Sequence, residues 1–85
     1  MTSKIAFVTG ASRGIGAAIA ERLAKEGYHL AINGRNEERL RRKAQEIANK
    51  YHVTCLSFAG DVGEDDFVKR TLEEIEKQLG SLDVL

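Results

Sequence analysis

Three of the eight residues in TGASRGIG, positions 9–16, are glycine, at 10, 14 and 16. The segment follows a short apolar run, KIAFVT, and leads into an amphipathic one. A strand that turns into a helix leaves the first N–H groups of that helix without partners, and these groups and the helix dipole together favour negative charge. In such a turn Gly10 permits the tight bend, Gly14 withholds a side chain where a ligand would press, and Gly16 lets the helix pack closely. The N–H of Ile15 faces outward and the hydroxyl of Ser12 adds a donor. The spacing GxxxGxG between a strand and a helix points to the pyrophosphate of a nucleotide cofactor. A P-loop is excluded, because no Gly-Lys-Ser/Thr follows.

A domain of this kind that binds NAD places an acidic residue about 20 positions after the glycines, at the end of the second strand, to hold a ribose 2′-hydroxyl. This chain has Gly34 and Arg35 there instead. A guanidinium pairs with a 2′-phosphate bidentately, a contact worth on the order of 1.5–3 kcal/mol. One such contact gives roughly tenfold preference, so Arg35 points to NADP(H) over NAD(H). Arg13, inside the glycine turn, can reach the same phosphate from the other side. Asn33 with Gly34 also suits a hairpin, but a long helical pattern follows them rather than an alternating strand.

Other reactive residue types carry less. His29 and His52 have no third ligand at useful spacing, so no metal site is expected. Cys55, the only cysteine, excludes an internal disulfide framework and reads as a buried apolar residue in a reducing, cytoplasmic setting. RLRRK, residues 39–43, is neutralised by neighbouring glutamates and reads as a solvated helix face rather than a nucleic-acid patch.

These groups need elements to position them. KIAFVT (4–9) reads as a strand buried on both faces, YHLAIN (28–33) as a second and VTCLSFAG (53–60) as a third. From Gly14 to Glu26 the residues Ile15, Ala18, Ile19 and Leu23 fall at helical spacing, with Gly27 as the left-handed cap. Leu40, Ala44, Ile47, Ala48 and Tyr51 share one face of a second helix. Its wet side offers the pairs Glu37–Arg41, Glu38–Arg42 and Glu46–Lys50. A third helix, from about Glu64 to Leu79, turns Phe67, Val68, Thr71, Leu72, Ile75 and Leu79 inward. Acidic residues in its first turn suit the dipole, and Gly80 closes it. LDVL (82–85) begins a fourth strand.

The order βαβαβα and then β implies a parallel sheet with right-handed crossovers. The fold class is therefore α/β: the N-terminal half of a Rossmann-type, doubly wound parallel sheet. Three helices bundled by linkers do not fit the β-formers at 28–33 and 53–59. Asp61 and Val62 follow the third strand, at the carboxyl edge where open α/β sheets bind ligands. Asp61 can equally cap the loop before the third helix, where Gly63 is a permissive N-cap.

With 42% hydrophobic and 31% charged residues, and 13 basic against 13 acidic, the chain reads as an ordinary globular protein whose partner is a small molecule. No apolar run approaches the ~18 residues needed to span a bilayer, and the N-terminus does not read as a secretory signal. Eighty-five residues make one domain at most, which buries roughly 60–65% of its unfolded surface.

TGASRGIG, the pair Asp61–Val62 and LDVL together resemble the short-chain dehydrogenase/reductase family, along the whole chain. The resemblance implies an NADP(H)-dependent oxidoreductase that interconverts an alcohol and a ketone, of which residues 1–85 are the cofactor-binding half. Its NADP-preferring members look similar at both Arg13 and Arg35. It further implies that Asp61 touches the adenine amino group while the backbone of Val62 assists. In the family a tyrosine, a lysine four residues on, a serine and an asparagine do the chemistry. Tyr28 is followed four residues later by Ile32 and Tyr51 by Cys55, so neither fits, and the expectation is that the chain ends before its catalytic residues. A homo-oligomer and a carbonyl or alcohol substrate are implied for the full-length protein, with 3-oxoacyl-carrier-protein reductases as one resemblance. Two rival readings are a nucleotide-binding module without turnover and an S-adenosylmethionine domain. The first leaves the first strand with an open edge. The second ordinarily wants an acidic residue where Gly34 and Arg35 stand.

Overall fold

The computed structural model describes residues 4–11 and 14–83. Ser12 and Arg13, expected to contact the cofactor, lie outside the described residues, as do Val84 and Leu85. Three strands, β1 (Ile5–Val8), β2 (His29–Gly34) and β3 (Cys55–Ala59), alternate with three helices, α1 (Gly14–Lys25), α2 (Glu37–Tyr51) and α3 (Asp65–Gln78). The strands form one parallel sheet in the order β1-β2-β3, with Ile5 opposite His29 and Leu30 opposite Cys55.

Strand parity divides the core into two layers. Ala6, Val8, Leu30 and Ile32 face Ala20, Ala24, Leu40, Ala44 and Ile47 of α1 and α2. Ile5, Phe7 and Ala31 face Ile75 of α3, with Phe58, Leu72, Leu79 and Leu82 around them. Both faces of β1 and β2 are covered, which explains why these strands are continuously apolar rather than alternating.

Helix α1 departs from the expected face. Ala17, Ala20 and Ala24 are buried, whereas Ile15 is 81% and Ile19 48% exposed. The cause lies at Gly16, where an added Cβ would collide with the carbonyl of Gly10 and stand 3.1 Å from the Thr9 oxygen. A helix held that close to the strand end has little room beneath its first turns, so alanines turn inward there and the larger isoleucines turn out, while Leu23 further along packs at the edge of the core.

The other elements follow their sequence closely. Asn36 caps α2, its Oδ1 accepting from the N–H of Arg39 at 2.9 Å, and His52 ends that helix in the left-handed region at φ 56°. Gly27 and Gly80 close α1 and α3 at φ +94° and +111°. The N-cap of α3 is Glu64 rather than Gly63, and it makes no side-chain capping bond. Of the expected pairs on α2, Glu38–Arg42 forms at 2.9 Å, while Glu46 meets Lys43 at 3.3 Å. Leu82 and Asp83 are not in strand geometry, yet the N–H of Asp83 donates to the carbonyl of Ile5 at 2.8 Å. The chain thus returns to the free edge of β1.

Candidate functional site

The carboxyl ends of the three strands open on one cleft of about 530 Å³. Its walls are Thr9 and Gly10 from β1, Asn33, Gly34 and Arg35 from β2, and Gly60, Asp61 and Val62 from β3. Parallel strands with right-handed crossovers bring all three exits to the same side, which is why residues some 25 positions apart in sequence meet here. The volume lies in the range of small-molecule pockets.

Of the expected site residues, Gly10, Arg35, Asp61 and Val62 line this cleft together. Gly14, Ile15 and Gly16 form the first turn of α1 just beyond it. Gly10 at φ +60° and Gly14 at φ +68° hold backbone conformations that favour glycine. Among the described residues nothing lies within 4 Å of where a Cβ on Gly14 would stand. The glycine turn is bound to the neighbouring strand by the N–H of Ala11, which donates to the carbonyl of Asn33 at 2.8 Å.

On the opposite wall, Nη2 of Arg35 stands 3.5 Å from Oδ2 of Asp61. The other oxygen of Asp61 accepts from the N–H of Gly63 at 2.8 Å, and its carbonyl accepts from Glu64 at 3.0 Å. Asp61 therefore does cap the loop before α3, and it also presents a carboxylate edge to the cleft. Val62, 43% exposed, adds an apolar surface beside it.

Asn33 is the residue that periodicity did not single out. It is 3% exposed, and its Nδ2 donates to the carbonyls of Phe58 at 2.9 Å and Gly60 at 3.2 Å. The available signal was a polar residue directly after the apolar run Leu30–Ile32.

The remaining reactive side chains serve structure. Nδ1 of His29 accepts from the N–H of Thr54 at 2.9 Å, which ties β2 to the start of β3. The hydroxyl of Tyr51 donates to Glu21 at 3.2 Å, and Lys4 sits 5.6 Å from the centre of the Tyr28 ring. Cys55 is half-buried rather than fully buried as expected, and that burial pushes its thiol up to about 12. Among the described residues no group of three or more His, Cys, Asp or Glu side chains is arranged to hold a metal, and no helix is long and apolar enough to cross a membrane.

Comparison with known proteins agrees with this geometry. The sequence model of the short chain dehydrogenases matches residues 4–85. General stress protein 39 of Bacillus subtilis is 38% identical over 85 residues, which are the whole of this chain and 30% of that protein. The 3-oxoacyl-acyl-carrier-protein reductase of Staphylococcus aureus is 44% identical over 84 residues, covering 98% of this chain and 34% of its own. Among solved structures, L-sorbose reductase of Gluconobacter frateurii, complexed with NADPH and L-sorbose, superposes with a TM-score of 0.92 at 36% identity, over 99% of this chain and 32% of that one. An alcohol dehydrogenase of Thermococcus sibiricus complexed with 5-hydroxy-NADP gives 0.91 at 37%, over 98% and 36%. The chain spans about a third of the length of the relatives it matches.

Proposed function

The chain belongs to the short-chain dehydrogenase family, and on that premise we propose that it forms the cofactor-binding part of an NADP(H)-dependent oxidoreductase acting on a carbonyl or alcohol. The observation that carries the reading is the pairing of a bare, left-handed glycine turn with a guanidinium across one cleft. Gly14 leaves open the space that a Cβ would intrude upon, and Gly16 fixes the helix start against the strand. These residues fit a dinucleotide: the N–H groups at Ile15 and Gly16 would take the pyrophosphate, Arg35 the 2′-phosphate, and Asp61 with Val62 the adenine. Ser12 and Arg13 would complete the turn. When bound, the nicotinamide supplies the hydride.

What the chain's own residues contribute is binding and orientation. The helix dipole and the free amides favour a doubly charged diphosphate. Arg35 at the end of β2 stands where an acidic residue would repel a 2′-phosphate, and it favours the phosphorylated carrier. Support from relatives comes from the solved neighbours that carry NADPH or 5-hydroxy-NADP. Among the substrates named for relatives are L-sorbose and 3-oxoacyl-carrier-protein, so the substrate class proposed is a ketone and its alcohol.

The test is a binding titration of the full chain with NADPH, NADH and S-adenosylmethionine, followed by nicotinamide fluorescence or calorimetry. NADPH is expected to bind at least roughly tenfold tighter than NADH, and S-adenosylmethionine not at all. Equal affinity for the two dinucleotides overturns the assignment of Arg35. Binding of S-adenosylmethionine alone overturns the whole reading.

A further inference from the structure

Strand β2 is a run of fully buried apolar residues, Leu30, Ala31 and Ile32, that ends in a buried amide. An amide taken out of water costs free energy unless it is bonded, and its loss leaves the carbonyls it serves without that donor. The Asn33 amide is bonded twice, and both bonds go to the exit of β3: Nδ2 donates to Phe58 and to Gly60. Its own carbonyl takes the N–H of Ala11 from the glycine turn. Asn33 thus touches the ends of both neighbouring strands and also lines the cleft itself.

Gly60 is held from a second side. A Cβ there would run into the Phe67 ring, whose Cδ1 would lie 2.6 Å away, so the backbone is pressed between an aromatic ring of α3 and the Asn33 amide. Immediately after Gly60 come Asp61 and Val62, the far wall of the cleft. Ladder pairing between β2 and β3 ends at Gly34 and Ala59, one residue earlier. Beyond that point the N–H of Gly60, bonded to Gly34 at 3.0 Å, and the Asn33 amide continue the attachment.

We infer that Asn33 is a positioning residue for the adenosine end of the cofactor site: its carboxamide fixes the exit of β3 against the end of β2, where its backbone carbonyl also holds the glycine turn, and so sets the separation of Arg35 from Asp61. The inference rests on the dinucleotide reading above and assigns to that site a residue that need not touch the cofactor's reacting atoms. Recognition of the 2′-phosphate and the adenine requires two walls from different strands, and Asn33 joins them.

The test uses Asn33→Ala and Asn33→Leu in the full chain, with 2′,5′-ADP as the probe of the adenosine end. Amide exchange at Gly60 and Gly63, exchange at Leu30 and Ile32, and thermal melting are followed alongside. Both variants are expected to bind 2′,5′-ADP roughly tenfold more weakly and to exchange faster at Gly60 and Gly63, with Leu30 and Ile32 still protected. Asn33→Leu keeps the branched shape but adds volume and removes the donors, so it is expected to melt below the parent; what a merely structural residue does not show is lost affinity with protection at Leu30 and Ile32 retained. Asn33→Ser retains one donor and falls between. The same selectivity is required of it, so the test stands where the alanine variant does not fold. Parent-like affinity in Asn33→Leu, or equal loss of protection at Leu30 and Ile32, overturns the inference. Failure of the parent protein itself to bind 2′,5′-ADP overturns the dinucleotide reading instead.

Discussion

Arg35 just past β2 and Asp61 just past β3 pair with each other on one wall of the cleft, Nη2 to Oδ2, at 3.5 Å. Their side chains are 82% and 45% exposed, so the pair is screened by water and contributes at most about 1 kcal/mol to stability. What it does is place a cation and an anion side by side in one small site. A 2′-phosphate entering that site gains the guanidinium and competes for it with the Asp61 carboxylate.

Arg35→Ala is therefore a change of selectivity and not of fold. The dissociation constant for NADPH should rise roughly tenfold, while that for NADH moves by less than about twofold and the melting temperature is unchanged. Parallel titrations of parent and variant decide it. Equal weakening for both dinucleotides would assign Arg35 to something other than the 2′-phosphate.

The glycines of the turn should separate by mechanism. In Gly16→Ala the new methyl meets the Gly10 carbonyl, backbone that cannot swing aside, and the helix must lift from the strand. A loss of about 1–3 kcal/mol or more is expected in urea unfolding. In Gly14→Ala the methyl meets nothing among the described residues, and the left-handed backbone at φ +68° resists, at a cost of about 1–2 kcal/mol. Nucleotide affinity should fall in both. A Gly16→Ala protein as stable as its parent would remove the close contact from the account.

Much of this site was legible because glycine requirements are local. TGASRGIG states its turn in backbone terms, and the alternation of strands and helices places the turn on the correct edge. The inward face of α1 was not legible. Periodicity weighs Ile15 and Ile19 above Ala17 and Ala20, whereas the face that turns in is chosen by the approach of Gly16 to Gly10, a contact between strand and helix. Asn33 was hidden for a related reason. As a dipeptide with Gly34 it suits a turn, and its bonds to Phe58 and Gly60 exist only once β3 lies beside β2. The N-cap of α3 falls one residue later than expected, because Asp61 bonds Gly63 and spends that residue inside the loop.

The contact between α1 and α2 should give the protein a pH signature. Nζ of Lys43 lies 2.8 Å from Oε2 of Glu21, both side chains being largely sheltered. The hydrogen bond from Lys43 holds the Glu21 carboxyl below its ordinary range, although partial burial opposes it. The same bond raises Lys43, again against burial. The Glu21 contribution is present above the unfolded carboxylate range and is lost as pH falls through the lower folded value. The Lys43 contribution is present below the unfolded lysine range and is lost as pH rises through the higher folded value. Lys43→Met should flatten the fall in melting temperature below about pH 5 relative to the parent. A variant whose acid limb matches the parent's would show that other carboxylates set it.

Cys55 lies in β3, with its thiol pushed up by burial alone to about 12. At pH 8 the folded protein should leave a disulfide reagent such as Ellman's unreacted over the time in which the urea-unfolded chain reacts fully. The rate then reports opening of the β3 edge and should rise in Asn33→Ala if the loosening spreads from the strand's exit to its beginning. Fast reaction in the native state would contradict the burial.

Asp83 makes two bonds to one residue. Its N–H donates to the Ile5 carbonyl at 2.8 Å, and its Oδ2 accepts from the Ile5 N–H at 2.9 Å. Ile5 opens the strand that leads to the glycine turn, and its side chain is packed in the layer under α3. A carboxylate on a backbone N–H is a charge-assisted bond, stronger than a neutral one, and here it holds the strand's outer edge at its beginning. Asp83→Ala removes the acceptor but leaves the backbone bond, so a loss of about 1.5–3 kcal/mol is expected, together with faster exchange at the Ile5 amide. Asp83→Asn keeps an oxygen in place without the charge and should recover roughly half of it. Nucleotide affinity should survive in both variants, since the bond lies at the opposite end of β1 from Gly10. Loss of binding in proportion to loss of stability would show instead that the turn depends on how the whole strand is anchored.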